Sequence, residues 1–351
     1  MPDRTAGERI KVAVVGYGVI GKRVAAAVEA QSDMELAGVA DVAADWRLRT
    51  AQHLGRRLFA AAPSSAEEMK AAGLRLAGGL DDLVDQVDVV VDCTPKHIAA
   101  ANIDRYRTLG KKFIVQGGEK HEVTGHSFVA DASYASAIGR SSTRVVSCNT
   151  TSIVRTLSAL KRAGLLLRAR GTLLRRATDP WESHLGGIMN TLVPESKIPS
   201  HQGPDAQTVD PDLDVVTMAV KVPETIAHLH YWSVQLTRPA SREEALEAFA
   251  RSPRIAMFEM GDGVDAINSI KEMMADLGRP HDSLYEVGLW SDLVTMQGDE
   301  LFYAYMVDNQ AIVIPETIDA IRALSGVPSA EESMSRTNEA LGIPLNIEGR
   351  S

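Results

Sequence analysis

The sequence predicts an α/β protein of two domains, the first built on a doubly wound parallel sheet. Three observations carry this expectation. At 351 residues the chain is longer than one ordinary hydrophobic core supports, and two domains accommodate it. Near the N-terminus an apolar run passes through three spaced glycines and resumes with apolar residues at helical spacing. Short runs of Val and Ile then recur through the first 148 residues, apolar without alternation, as in strands covered by helices on both faces.

The first element is "KVAVVGYGVIGKRVAAAVEAQ". Gly16, Gly18 and Gly21 form the G-x-G-x-x-G pattern between a strand and a helix whose apolar stripe is Ile20, Val24 and Val28. Such a strand, turn and helix seats a dinucleotide pyrophosphate on the helix N-terminus, so the first domain is predicted to be Rossmann-type. The second strand, "MELAGVAD", ends in Asp41, at the distance where an acidic residue accepts from the adenosine ribose hydroxyls. A carboxylate there repels a ribose phosphate, which favours NAD and leaves NADP open as a second cofactor.

Three more strands follow: "VDVVVDCTP", "KKFIVQGG" and "TRVVSC", with the helix "HIAAANIDRYRTLG" between the first two. Ligands of parallel sheets bind at the carboxyl ends of the strands. Asp92, Cys93, Thr94, Gly117, Gly118 and Cys148 all fall there.

Composition narrows the function classes. The chain is 45% apolar and 24% charged, and 37 basic against 46 acidic residues leave a net charge of −9. That sign argues against nucleic acid or an anionic membrane as the main partner, while a local basic pocket for a small anionic substrate stays compatible. No apolar run approaches the roughly 18 residues of a membrane span, and "MPDRTAGERI" lacks a signal-peptide core, so the expectation is cytoplasmic. The terminal tetrapeptide Ile347-Glu348-Gly349-Arg350 matches a protease recognition sequence and is read as a tag remnant.

Cys148, in "VVSCNTTSIVRTL", has four readings: buried filler, half of a disulfide, metal ligand, or nucleophile. A reducing compartment weakens the disulfide with Cys93, and neither thiol has the spaced His or Cys partners of a zinc site, so no metal is expected. The sequence places Cys148 at a strand end before a polar turn and a helix. Helix N-terminal amides favour a thiolate and can hold a developing oxyanion, which suits attack on an aldehyde. A base is then needed, and histidine is the default. His228 and His230 in "TIAHLHYWSVQL" alternate along a strand and share one face, so one can be the base and the other a core histidine. Spacing does not choose between them.

Elsewhere "RGTLLRRATDP" puts Arg175 and Arg176 at a strand end, and "IPSHQGPD" reads as a polar loop carrying His201 and Gln202. Paired guanidiniums with loop donors suit a phosphate ester, against the plainer reading of a solvated basic strand end.

Taken together, "GYGVIGKRV", "QGGEK", "VVSCNTT", "RRATDP", "PSHQGPD", "AHLH" and "IVIPETIDAIRA" resemble, in order and over nearly the full length, the archaeal-type (type II) phosphorylating glyceraldehyde-3-phosphate dehydrogenases. The resemblance implies that Cys148 attacks the aldehyde of glyceraldehyde 3-phosphate, giving a thiohemiacetal and then a thioester that inorganic phosphate cleaves. His228 resembles the catalytic histidine, with His230 in reserve, and Asp179 an orienting acid. Ser147, Asn149, Arg175, His201 and Gln202 resemble substrate or phosphate contacts. Val19, Ile20, Gly118, Arg176 and Gln310 resemble cofactor contacts beside the glycine loop.

The same resemblance implies a Rossmann domain over residues 1–148, completed by a C-terminal helix over 315–346. It also implies an α+β catalytic domain over 149–314 with a mainly antiparallel sheet, and a homotetramer. "SAEESMSRTNEALGI" fits that last helix, with Ser329 as N-cap and Glu332 completing a capping box. Three positions depart from the family pattern: Gln202 where a second histidine is usual, Asp41 where NADP users carry a basic residue, and Cys93 where a small residue is expected. Gln202 motivates a rival substrate, another phosphorylated sugar aldehyde or a semialdehyde. A second rival is a nucleotide-binding regulator without turnover.

Overall fold

A computed structural model describes residues 9–116 and 118–344. They divide into two compact units, one of the described residues from 9 to 146 together with 314–341, the other of 147–313 together with 342–344.

The first unit carries an eight-stranded, wholly parallel sheet. Its strands are β1 Ile10–Val15, β2 Met34–Asp41, β3 Leu58–Ala60, β4 Leu76–Gly79, β5 Val89–Asp92, β6 Lys112–Val115, β7 Ser127–Phe128 and β8 Ser142–Val145. Their spatial order is β4-β3-β2-β1-β5-β6-β8-β7. The chain therefore winds outward from β1, crosses back to β5 and winds the other way, and the switch point lies between β1 and β5. Burial explains the unbroken apolar strands: Val12 to Val15 and Val89 to Val91 are fully enclosed, as the run of Val and Ile requires.

The predicted C-terminal helix is two helices, Val313–Leu324 and Ala330–Leu341, broken around Gly326, which has φ near 90°. Ser329 caps the second, accepting from the Glu332 amide at 3.1 Å, while the Glu332 carboxylate turns to Arg336 instead of closing the box. Arg322 fixes both helices to the sheet side of this unit. It donates to both oxygens of Asp33 at 2.8 Å, to Gln31 at 2.7 Å and to Thr337 at 2.6 Å. Gly117 and the terminal tetrapeptide at 347–350 lie outside the described residues.

The second unit carries β9 Leu166–Arg176, β10 Val193–Pro194, β11 Val215–Val222, β12 His228–Leu236, β13 Ile255–Phe258, β14 Val287–Trp290, β15 Thr295–Gln297 and β16 Glu300–Val307. The order is β10-β11-β9-β12-β16-β14-β13, with β15 on β16. Only β11 with β9 and β13 with β14 pair in parallel, so the sheet is mixed and mainly antiparallel. The helix Cys148–Arg162 packs within this unit and is buried from Asn149 to Leu160. Among the described residues no helix is long and apolar enough to cross a membrane.

Candidate functional site

In the first unit the glycine loop has the form its sequence suggests. Gly16 has φ near 86°, and a Cβ there would stand 2.8 Å from the Thr94 nitrogen, so only glycine lets β1's exit approach the chain leaving β5. At Gly21 a Cβ would fall 1.8 Å from the Gly16 carbonyl oxygen. Gly18 precedes the helix Val19–Glu29, and a Cβ on it would meet nothing nearer than Arg47 at 3.9 Å. The turn is thus tight where the backbone folds back and open where a pyrophosphate would lie over Val19 and Ile20, which fits a dinucleotide. Gly118, by contrast, is exposed in the turn after β6.

Asp41 ends β2 as predicted, and its carboxylate is largely engaged by main chain. It accepts from Tyr17 N at 2.6 Å, Val42 N at 2.7 Å and Ala43 N at 2.9 Å, so it braces the glycine loop as well as placing a negative charge there. Asp92, at the end of β5, is wholly buried and accepts from Asn102 at 3.0 Å and Tyr106 at 2.7 Å. Its partners are all internal, which makes it a brace for the loop that follows and not an exposed strand-end ligand.

In the second unit Cys148 differs from its expected setting in one respect: no polar turn separates it from the helix. It is the first residue of Cys148–Arg162, and Ser147 is the N-cap, accepting from Thr150 N at 3.3 Å. Thr150 in turn donates to Asp205 at 2.8 Å. Unpaired first-turn amides therefore surround the sulfur. Burial pushes the thiol's pKa up, opposed chiefly by the Arg176 charge, then by the Asn149 amide and Arg175.

His228 Nε2 stands 3.5 Å from Cys148 Sγ, and His228 Nδ1 accepts from the Arg176 amide at 3.0 Å. A ring nitrogen that accepts from an amide carries no hydrogen, so the neutral ring holds its proton on Nε2, facing the sulfur. Burial, then the neighbouring His230 and the two arginines, push His228 well below its ordinary pKa and keep it neutral. His230 is enclosed and faces away from the thiol: its Nε2 meets Asn149 Oδ1 at 2.9 Å and its Nδ1 meets the Tyr305 hydroxyl at 3.0 Å. Of the two histidines, only His228 touches Cys148.

The remaining expected residues form two groups. Arg176 pairs with Asp179 at 2.8 Å, and Asp179 accepts from Gln310 at 2.9 Å. The Nε and Nη1 atoms of Arg176 are buried without a hydrogen-bond partner among the described residues. Arg175 and His201 converge on Glu195, a residue sequence reading passed over. Burial would raise the Glu195 carboxyl, but the Arg175 charge and His201 hold it low. Gln202 is not in a polar loop; it opens the short helix Gln202–Gln207 and is fully buried, while His201 beside it is exposed. The reason is tight packing, since the neighbouring Gly203 lies against Thr217 and donates to its hydroxyl at 2.9 Å. No group of three His, Cys, Asp or Glu able to hold a metal occurs among the described residues.

Glu195, Tyr305 and Trp232 gave no sequence signal, because their partners are set by strand register and not by spacing. Only the six-residue step from Glu195 to His201 was open to inspection.

Comparison with known proteins bears on the same region. Residues 147–277 match the family described as glyceraldehyde 3-phosphate dehydrogenase, C-terminal domain, and residues 10–123 match that described as dihydrodipicolinate reductase, N-terminus. Over 97% of its length the chain is 46% identical to the glyceraldehyde-3-phosphate dehydrogenase of Pyrobaculum calidifontis, covering 99% of that protein. It is 42% identical over 95% of its length to that of Metallosphaera sedula, covering 98% of it, and 41% identical over 95% to that of Methanobrevibacter smithii, covering 99%.

Proposed function

Because the chain belongs to the archaeal-type glyceraldehyde-3-phosphate dehydrogenase family, we propose that it oxidises glyceraldehyde 3-phosphate to 1,3-bisphosphoglycerate with uptake of inorganic phosphate. The observation that carries this reading is the 3.5 Å approach of His228 Nε2 to Cys148 Sγ at a helix N-terminus.

Cys148 gives its thiol proton to solvent and, as thiolate beside the Arg176 charge and the Asn149 amide, forms a C–S bond to the aldehyde carbon, while the carbonyl pair moves onto oxygen. His228, whose hydrogen is on Nε2, donates first to the sulfur and then to that oxygen. A nicotinamide cofactor, when bound, supplies the hydride acceptor. Loss of hydride leaves the acyl group on Cys148 as a thioester. An oxygen of inorganic phosphate then attacks the acyl carbon, the C–S bond breaks, and the thiolate is restored. Once the thiol proton has gone to solvent, the sulfur enters and leaves the cycle as thiolate, so His228 need not take up a proton.

Ser147, Asn149, Arg175, His201 and Gln202 are assigned to the substrate and phosphate. Supporting this, Arg175 and His201 share Glu195, the buried Gln202 amide has no hydrogen-bond partner among the described residues, and Arg176 has two buried nitrogens to offer an anion. Asp179 is assigned to orientation, since it holds both Arg176 and Gln310. Gly16, Gly18, Val19, Ile20, Gly21, Gly118, Arg176 and Gln310 are assigned to the cofactor. NAD is the preferred one, because a ribose phosphate would meet the Asp41 carboxylate at the end of β2. Self-association into a homotetramer belongs to the same reading, supported by exposed Leu185, Met189, Leu192 and Ile198 in the second unit.

The test is reduced-cofactor absorbance with purified protein and glyceraldehyde 3-phosphate, using NAD or NADP, each with and without inorganic phosphate. Phosphate-dependent turnover, faster with NAD, is expected. No turnover on this substrate, with turnover on another phosphorylated aldehyde or a semialdehyde, would move the assignment to that compound.

A further inference from the structure

Four side chains from three separate elements form a hydrogen-bonded row that ends on the residue beside Cys148. Trp232 Nε1 lies 3.0 Å from the Tyr305 hydroxyl, that hydroxyl lies 3.0 Å from His230 Nδ1, and His230 Nε2 lies 2.9 Å from Asn149 Oδ1. His230 and Tyr305 are fully enclosed, and Trp232 and Asn149 nearly so.

The row has one direction. Indole N–H only donates, so the Tyr305 oxygen accepts from Trp232. The Asn149 carbonyl oxygen only accepts, so the hydrogen of neutral His230 is on Nε2 and Nδ1 is a bare acceptor. Tyr305 then gives its single hydrogen to His230 Nδ1, nearer at 3.0 Å than Ser152 Oγ at 3.4 Å. Ser152 gives its own hydrogen to the Asn149 main-chain oxygen at 2.8 Å, so it does not donate to Tyr305. Burial, with the Arg175 charge, pushes His230 down to about 3, so no second ring proton intrudes at neutral pH.

With Oδ1 held inward by His230, the Asn149 carboxamide has a defined face. Its Nδ2 has no hydrogen-bond partner among the described residues, on a side chain adjacent to the thiol. The far end of the row is equally fixed. Gly171 in β9 faces Trp232 across the β9–β12 pairing, and a Cβ there would stand 2.6 Å from the indole ring, so the glycine makes the seat in which the ring lies.

We infer that Trp232, Tyr305 and His230 are positioning residues that point Asn149 Nδ2 at the aldehyde oxygen, making it a second oxyanion donor alongside His228. This rests on the reaction proposed above and assigns His230 to orientation, leaving His228 alone at the sulfur. A buried row of this kind fixes an amide that would otherwise rotate, and one misdirected donor in an oxyanion site costs on the order of a hundredfold in rate.

The test combines a double-mutant cycle with a spectroscopic readout. Asn149→Ala is expected to lower kcat about a hundredfold with the KM for NAD unchanged, and Tyr305→Phe about tenfold. In the Asn149→Ala background Tyr305→Phe should cost nothing further, since the group it orients is gone. His230→Gln, which can both donate to Asn149 and accept from Tyr305, should retain more activity than His230→Ala. Nitrogen-15 NMR of the histidine rings in the unaltered protein should show His230 as the Nε2–H tautomer. An undiminished tenfold loss for Tyr305→Phe in the Asn149→Ala protein, or an Nδ1–H tautomer at His230, overturns the inference. Absence of turnover in the unaltered protein would instead remove the proposed reaction, and the tautomer would still be read on its own.

Discussion

The main-chain N–H of Arg176 donates to Nδ1 of His228 at 3.0 Å, so the last residue of β9 sets which nitrogen of that ring carries the hydrogen. The opposite nitrogen is the one 3.5 Å from Cys148. A histidine held in this way enters the reaction as a donor, and its burial keeps it from charging at neutral pH. Replacing His228 with Gln, which preserves a donor, should therefore leave more activity than replacing it with Ala. We expect His228→Ala to lower kcat by about 10² to 10³. Equal losses in kcat for the two variants would show that donation is not what the ring contributes.

Cys148→Ser should abolish aldehyde oxidation and leave NAD affinity, measured by fluorescence titration, nearly unchanged. Retained turnover would refute the nucleophile. In the unaltered protein without ligands, burial holds the thiol above its ordinary pKa of 9.0, so its alkylation by iodoacetamide should accelerate from pH 7 to beyond pH 9. A rate that is flat over that range would mean that Arg176 and the helix amides outweigh burial.

Asp41 both braces Tyr17 and places a negative charge at the end of β2. Asp41→Ala should raise the KM for either cofactor by loosening the loop, and should lower the ratio of kcat/KM for NAD over NADP about tenfold by removing the repulsion. Asp41→Asn keeps acceptor capacity without charge, so it should shift the ratio with a smaller rise in KM. An unchanged ratio in both variants would assign cofactor choice to other residues.

Arg322 is wholly buried among Asp33, Gln31, Asp319 and Thr337, so its removal takes the forked partner from Asp33 and the cation from beside the enclosed Asp319 carboxylate. Arg322→Ala should destabilise the first unit by about 3 kcal/mol or more, read as an earlier transition in urea. Arg322→Lys should restore little, since one ammonium cannot make the forked contacts to Asp33. A midpoint within error of the unaltered protein would show that these contacts are energetically idle.

Acid should unfold the protein before most carboxylates titrate. His230 is pushed down to about 3 from 6.5 and His126, by burial and then by Arg140 and His121, to about 4. Both are neutral in the fold and take up protons on unfolding, so the stability they contribute is complete above about pH 6.5 and declines as pH falls toward their folded values. For His230 the slope approaches ~1.4 kcal/mol per pH unit. Circular dichroism melts at pH 7, 6, 5 and 4 should show a steady fall, and His230→Asn should make it shallower, with His126 and His228 supplying the rest. A melting temperature constant to pH 4 would contradict the burial of both rings.

How much of this was legible in the sequence depends on how far apart the interacting residues lie. β2 was read to its last residue because eight apolar-rich positions end in a charged one. The strands before Cys93 and Cys148 were read too long, since apolar residues continue past the last ladder bond and the sheet ends where pairing does. Gln202 read as a loop residue because Pro, Ser, His and Gly surround it, yet packing of Gly203 on Thr217 buries it.

The sequence by itself determined the glycine turn, the parallel sheet, a helix following the thiol and the pair of histidines on one strand face, because each depends on local geometry and on the period of apolar residues. Tertiary structure alone decided which histidine meets Cys148, that Glu195 gathers Arg175 and His201, that Asp41 braces Tyr17, and that Tyr305 and Trp232 stand behind Asn149. Those contacts join residues up to 153 positions apart through sheet register and helix packing, and register is fixed by the whole hydrophobic pattern of the sheet and not by any stretch of chain that carries one partner.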